Sequence, residues 1–174
     1  SIINDAPDAF KAGLEAISKL TDGATWLCHE TGKSVPGGDV ADVSVATFSG
    51  PHPSGLAGTH IHFLEPVNAA KTVWTIGYQD VITIGRLMET GTLDASRVVA
   101  IAGPVAKNPR LVRTIAGASL DDLAGADIPD DVPVRVVSGS ILSGRLAEGP
   151  SGYLGRYARQ VALMHEFREQ IFLG

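Results

Sequence analysis

Gly50-Pro51-His52-Pro53-Ser54-Gly55-Leu56-Ala57-Gly58-Thr59-His60-Ile61-His62-Phe63-Leu64-Glu65-Pro66, with Lys71-Thr72-Val73-Trp74-Thr75-Ile76-Gly77-Tyr78-Gln79-Asp80-Val81-Ile82 behind it, decides how this chain is read. The first run holds three glycines and three of the chain's five histidines, and it carries no charge before Glu65. Proline fixes φ and removes a backbone donor, while glycine opens positive φ, so this backbone is shaped rather than periodic. The second run is β-branched and aromatic up to Ile76 and then turns to helical spacing. We read it as a strand passing into a helix. A shaped loop ahead of a strand-turn-helix unit is where an α/β domain keeps its ligand surface.

Upstream, Asn4 and Asp5 precede Pro7, a common way to open a helix. Phe10, Leu14, Ile17 and Leu20 then form one apolar stripe, which Asp22-Gly23 ends. Thr25-Trp26-Leu27-Cys28 and Val43-Ser44-Val45-Ala46-Thr47-Phe48 read as strands, with Lys33-Ser34-Val35-Pro36-Gly37-Gly38 in the loop between them. Downstream, Val81, Ile82, Gly85 and Met88 keep helical spacing and Gly91 closes the helix. This first half reads as a partial Rossmann-like α/β layer, with its earlier strands expected before Ser1.

The pattern changes near Gly91 to Asp94, which sets the expected domains at 1–93 and 94–167, with a tail at 168–174. Val98-Val99-Ala100-Ile101-Ala102 and Leu111-Val112-Arg113-Thr114-Ile115 form a hairpin. Ser119-Leu120-Asp121-Asp122 resembles a capping box opening a short helix, with Leu120 and Leu123 inward and Gly125 at its end. Val134-Arg135-Val136-Val137 and Gln160-Val161-Ala162-Leu163-Met164 supply two more strands. Hairpin, short helix and two strands is the order of a β-grasp (ubiquitin-like) domain. The fold expected is therefore α/β plus α+β.

Hydrophobic content of 44% with 19% charged residues is ordinary for a globular protein, and a net charge of -5 offers no basic face to nucleic acid. Cys28 is the single cysteine, which excludes an internal disulfide and suits a reducing cytoplasm. Residues 43–64 are uncharged, but Gly, Pro and His break them too often for a membrane span. The chain opens at Ser1-Ile2-Ile3 and stops at Phe172-Leu173-Gly174, so the expectation is an internal piece of a longer polypeptide.

Three kinds of chemistry compete at the central stretch. If residues 60–62 are extended, His60 and His62 share a face. Both could then ligate a transition metal with His52 or Glu65, donate to the carbonyls of a quinone-like ring, or satisfy loop carbonyls. Trp74 and Tyr78, with Phe63 nearby, suit a flat ligand, an interface or an ordinary core. Asp80 suits the positive end of its helix dipole. The loop lacks the G-x-x-x-x-G-K-[ST] pattern, and no G-x-G-x-x-G occurs, so nucleotide binding is not indicated. Cys28 and His29 would point to opposite faces of a strand, which argues against a nucleophile–base dyad, and no G-x-S-x-G elbow exists. Arg110, Arg113, Arg145, Arg156 and Arg159 read as solvated faces or salt bridges, with a docking surface around Tyr153-Leu154-Gly155-Arg156-Tyr157 as the alternative.

Pro36-Gly37-Gly38-Asp39, Gly50-Pro51-His52-Pro53, Gly58-Thr59-His60-Ile61-His62-Phe63-Leu64, the run from Thr72 to Ile82, Pro109-Arg110-Leu111-Val112-Arg113-Thr114 and Val137-Ser138-Gly139-Ser140 follow one another in an order that closely resembles the peripheral A subunit of the sodium-translocating NADH:quinone reductase. The second half also looks like the soluble-ligand-binding β-grasp domain in the flavin-bearing NADH subunit of respiratory complex I. The resemblance implies a complex that oxidises NADH, reduces ubiquinone and exports sodium. In it this chain would belong to a subunit on the cytoplasmic face of the bacterial inner membrane, without a transmembrane segment. Its partners would be the other subunits and its ligand ubiquinone. NADH, flavin and iron-sulfur sites are assigned to those other subunits, and no cofactor is expected in this piece. Hydride chemistry is not expected either, and the isolated piece is expected to be inactive. His60, His62, Phe63, Trp74 and Tyr78 are the candidate quinone or partner contacts. No catalytic or metal residue is assigned. The rival readings are a purely structural β-grasp interaction module and a metal-binding enzyme using His60 and His62.

Overall fold

The computed structural model describes residues 1–166, so the tail expected at 168–174 lies outside the described residues. The chain forms a mixed α/β structure in two compact units, Ser1–Asp94 and Ala95–Gly174.

In the first unit, α1 (Pro7–Ser18) starts on Pro7, whose missing N–H costs nothing there. Ala6, rather than Asn4 or Asp5, is the capping position, and no side chain caps it. The helix ends earlier than Asp22-Gly23. Ser18 Oγ donates to Glu15 O (2.9 Å), while the Lys19 and Leu20 amides reach back only three residues, to Ala16 O and Ile17 O. Leu20 consequently leaves the stripe and is 74% exposed. Two parallel strands follow, β1 (Thr25–Glu30) and β2 (Val43–Phe48), paired from Thr25↔Val43 to Glu30↔Phe48. A long crossover joins them, as parallel pairing requires. It is pinned to α1 by Lys11–Asp39 (2.7 Å) and Lys19–Asp42 (2.6 Å). Gly37 sits in it at φ 103, with Leu14 so close that a Cβ would meet Leu14 Cδ1 at 2.4 Å.

Beyond β2 lie α2 (Ala57–Leu64) and α3 (Tyr78–Thr90). Gly91 ends α3 in the left-handed conformation (φ 71), as the sequence indicates. Met88 is 61% exposed, so it lies off the buried face that Val81, Ile82 and Gly85 form. The strand expected in the run from Lys71 up to Ile76 is absent. Asn68 Oδ1 accepts from Ala70 N–H in a turn, Asn68 and Lys71 form one isolated bridge, and residues 72–77 pair with no neighbouring strand. A β-branched run without a strand beside it gains no ladder.

The core of this unit is Ala9, Phe10, Leu14, Leu27, Val81 and Ile82. It exists because α1 and α3 meet backbone to backbone. A Cβ on Gly13 would lie 2.0 Å from Val81 O, and one on Gly85 would lie 1.7 Å from Ala9 O.

The second unit holds a five-stranded sheet in the order β4-β3-β7-β5-β6. Its strands are β3 (Ser96–Ala102), β4 (Arg110–Ile115), β5 (Val134–Ser138), β6 (Arg145–Leu146) and β7 (Gln160–His165). β3 and β7 run parallel, and every other pairing is antiparallel. The short α4 (Leu120–Ala124) is capped by Ser119, whose hydroxyl accepts from Asp122 N–H at 3.4 Å. Gly125 does not stop the chain's turning, because a 3₁₀ turn, Gly125–Asp127, continues it. Leu120 and Ala124 close over Val99, Ile101, Val161 and Leu163, which are all but inaccessible to water. Arg110 reaches both oxygens of the buried Asp127 carboxylate at 2.6 Å, and Arg135 forks onto Glu166 (2.8 and 2.6 Å). Two of the second unit's arginines are thus structural ties. No helix among the described residues is long and apolar enough to cross a membrane.

Candidate functional site

The central stretch begins at the carboxyl end of β2, the end at which α/β sheets present ligand sites. Gly50 adopts φ 117 and the His52–Pro53 peptide is cis. Ser54 Oγ donates to Gly50 O (2.8 Å), which folds the loop onto itself. Thr59 Oγ1 donates to Pro53 O at 2.9 Å. His60 Nε2 lies 2.9 Å from Ser54 O. A carbonyl only accepts, so Nε2 carries the proton and the ring is committed to the loop. The other side of that ring stacks on Phe48, the last residue of β2, with centroids 4.2 Å apart at 29°.

Residues 60–62 are therefore helical, not extended, and the expected geometry is corrected. On a helix, positions two apart point about 200° away from each other. His60 turns to the loop and Phe48. His62 is exposed and meets Phe63 edge-on, with centroids 5.2 Å apart. The two imidazoles do not converge. Among the described residues, no group of three His, Cys, Asp or Glu side chains could hold a metal ion.

Phe63 is 71% exposed and Trp74 is 83% exposed. Leu56, Val67 and Ile76 in the same stretch are also open to water. Tyr78, at the start of α3, instead packs against the core of the first unit. The structure thus brings His62 and Phe63 together on the exposed side of α2 and puts Trp74 in the irregular segment after it. It turns His60 and Tyr78 toward the protein.

Sequence reasoning missed Phe48 as the platform for His60 and Glu65 as the anchor of the segment. Glu65 pairs with Lys71 and accepts from Trp26 Nε1–H (3.4 Å), which ties the end of α2 to β1. Lys71, and after it the Trp26 donor, holds the Glu65 carboxyl below the usual glutamate range. A carboxyl depressed in the folded state stabilises fully above its unfolded pKa and loses that contribution as pH falls through the folded value. The Trp26–Glu65 contact is therefore expected to weaken in acid, below about pH 4.3. The Trp26 indole N–H resonance should shift in that window in the native chain and stay flat in Glu65→Gln. A flat native profile would remove the tie.

Elsewhere, burial pushes the half-buried Cys28 thiol up, away from thiolate chemistry. His29 Nδ1 donates to Glu30 O (2.9 Å), so the neighbours form no dyad. A shallow hollow lined by Thr21, Asp22, Asp42 and Ser44 lies at the opposite, amino ends of β1 and β2.

Residues 1–93 match the family described as NqrA second alpha/beta domain, and residues 98–149 match NQRA C-terminal domain. The chain belongs to the NqrA family. It is 53% identical over 173 residues to the A subunit of the Na(+)-translocating NADH-quinone reductase of Pasteurella multocida (strain Pm70), covering 99% of this chain and 39% of that protein. Its identity to the same subunit of Rhodopirellula baltica is 50%, and to that of Vibrio parahaemolyticus 52%, again over 99% of the chain and 38% of each relative. The chain thus spans about two fifths of the length of these relatives.

Proposed function

We propose that this chain is part of a peripheral subunit of a Na+-translocating NADH:ubiquinone reductase, where it scaffolds and docks and carries no hydride chemistry. The NADH, flavin and iron-sulfur chemistry then belongs to other subunits, and the chain sits on the cytoplasmic face of the membrane. The finer architecture belongs to the same proposal. Residues 1–93 form part of a Rossmann-like layer, to which the parallel β1–β2 pair under α1 and α3 lends support. Residues 94–167 form a β-grasp domain. Their hairpin, helix and central parallel β3–β7 pair favour that reading.

In this reading, His62, Phe63 and Trp74 meet ubiquinone or the subunit that delivers it, and His60 and Tyr78 hold the backbone that presents them. The observation that carries it is the exposure of Phe63 and Trp74, 71% and 83%, in the stretch that follows the carboxyl end of β2. Two large aromatics left in water, Phe63 against the exposed His62 imidazole and Trp74 in the segment that follows, suit a flat ring with polar edges. A photoreactive ubiquinone analogue, irradiated with the intact complex, is expected to label residues 56–76. Labels wholly outside residues 50–80 would remove the ligand contact. Loss of assembly in Phe63→Ser/Trp74→Ser, with unchanged labelling elsewhere, would make the same face a subunit-docking surface instead.

A further inference from the structure

The two edges of the second unit's sheet differ. β6 forms one with two residues, while β4 forms the other with six, Arg110–Ile115. On β3, Ala100 N–H donates to Arg159 O (3.0 Å), on the β7 side. Alternation then turns the main-chain groups of Ser96, Val98 and Ala100 away from β4 and those of Arg97, Val99 and Ile101 toward it. The register sets these last three opposite Thr114, Val112 and Arg110. The main-chain groups of Leu111, Arg113 and Ile115 therefore point off the sheet. The Ile115 carbonyl accepts from Ala118 N–H (3.2 Å), and the others have no partner among the described residues.

The same three residues share one face of the strand, since Val112 between them packs against the core on the other face. Leu111 is 71% and Ile115 58% exposed. Arg113 between them is exposed too, and among the described residues it has no hydrogen bond or ion pair. Arg110, by contrast, is held by Asp127. On the inner side Leu111 stands opposite Ala100, Arg113 opposite Val98 and Ile115 opposite Ser96, so β3 offers the Arg113 guanidinium no acid. β4 thus presents an open ladder marked by an apolar, a cationic and an apolar side chain in a row.

We propose that β4 takes on a strand from another subunit, one that sets an acidic side chain opposite Arg113 and apolar side chains opposite Leu111 and Ile115. In strand addition the open main chain supplies the affinity and the alternate side chains choose the strand. Charge complementarity at Arg113 selects the acid and refuses a lysine or arginine. It also disfavours a second copy, because antiparallel pairing that matches all three outward residues sets Arg113 against Arg113. A strand covered permanently by its own polypeptide needs no charge at its centre. An edge that stays open until a partner arrives does, since the cation blocks indiscriminate pairing. That the occupant is another subunit rests on the placement in a multisubunit reductase proposed above.

The chain is titrated with the peptide Thr-Val-Thr-Glu-Thr-Val-Thr and with its Lys-for-Glu counterpart, and amide exchange is read by residue. The acidic peptide is expected to slow exchange at Leu111, Arg113 and Ile115, and the basic one to bind about tenfold more weakly, a gap that salt narrows. Arg113→Glu should reverse the preference, while exchange at Val99 and Val112, which face each other across the ladder, stays native. Equal protection by both peptides, or by neither, would overturn the proposal. In the intact complex the three amides should be protected, and in the whole subunit alone they should exchange freely. Free exchange in the complex would also overturn it. Protection already present in the whole subunit would do so in favour of a segment of the same polypeptide. Protection of the chain that rises with its own concentration would do so in favour of a second copy. Loss of co-purification would remove only the placement, because the peptide arm is read on the isolated chain.

Discussion

Gly85→Ala is expected to destabilise the first unit by about 3 kcal/mol or more, although it adds one methyl group and improves helix propensity. The added Cβ would lie 1.7 Å from Ala9 O and 2.9 Å from the Gly13 amide. Neither atom can turn aside as a side-chain end would, because both are helix backbone. The helices would have to separate, and separation opens the layer formed by Phe10, Leu14, Val81 and Ile82. Gly13→Ala should act in the same direction, since its Cβ meets Val81 O at 2.0 Å. The control is Gly58→Ala in α2. Nothing lies within 4 Å of that Cβ, so it should be neutral or stabilising by up to about 1 kcal/mol. Both tryptophans, Trp26 and Trp74, belong to this unit, and Trp26 is the one with an environment to lose. Urea unfolding followed by tryptophan fluorescence would read the difference. Equal midpoints for Gly85→Ala and Gly58→Ala would mean that α1 and α3 do not cross at these glycines.

These two substitutions also mark where the sequence was legible. α1, α3, the β3–β4 hairpin, α4 and β5 were visible because each turns one periodic face inward, and β7 because its apolar run is continuous; both patterns survive without knowledge of the partner. α2 was not visible, because it buries no residue fully and so carries no apolar stripe. Its helical form comes with non-local ties, Thr59 and His60 reaching back to the carbonyls of Pro53 and Ser54. A His-x-His pair inside an uncharged apolar run looks the same to a period-2 template. The strand expected in the run from Lys71 up to Ile76 failed for the converse reason: composition favours a strand, but a strand exists only beside another. The two-residue β6 depends on the turn that returns Arg145 to Ser138, a closure that no hydrophobic pattern announces. The candidate site fared likewise. Its residue types could be read from the sequence, but which of the five side chains face water could not, because His60 and Tyr78 are turned inward by Phe48, Ser54 and the α1–α3 core.

Leu163→Ala is expected to cost the second unit about 3–4 kcal/mol, a large share of the total stability of a domain this size. Leu163 is 0% exposed and sits on β7, the strand flanked by β3 and β5. Its side chain belongs to the cluster with Val99, Ile101, Val161 and Leu120, so truncation leaves a hole that both the sheet and α4 border. The backbone has little means of closing that hole. Gly103, at φ 130, already lies against the residue, and a Cβ there would be 2.0 Å from Leu163 O. Leu111→Ala on β4 is the matched control, 71% exposed and expected to change stability by no more than about 0.5 kcal/mol. This unit has no tryptophan, so amide hydrogen exchange along β3, β5 and β7 is the readout. Exchange should accelerate together across the three strands in Leu163→Ala and stay native-like in Leu111→Ala. Acceleration confined to β7 would show that β3 and β5 do not depend on the leucine between them, and that the unit is held by its edges.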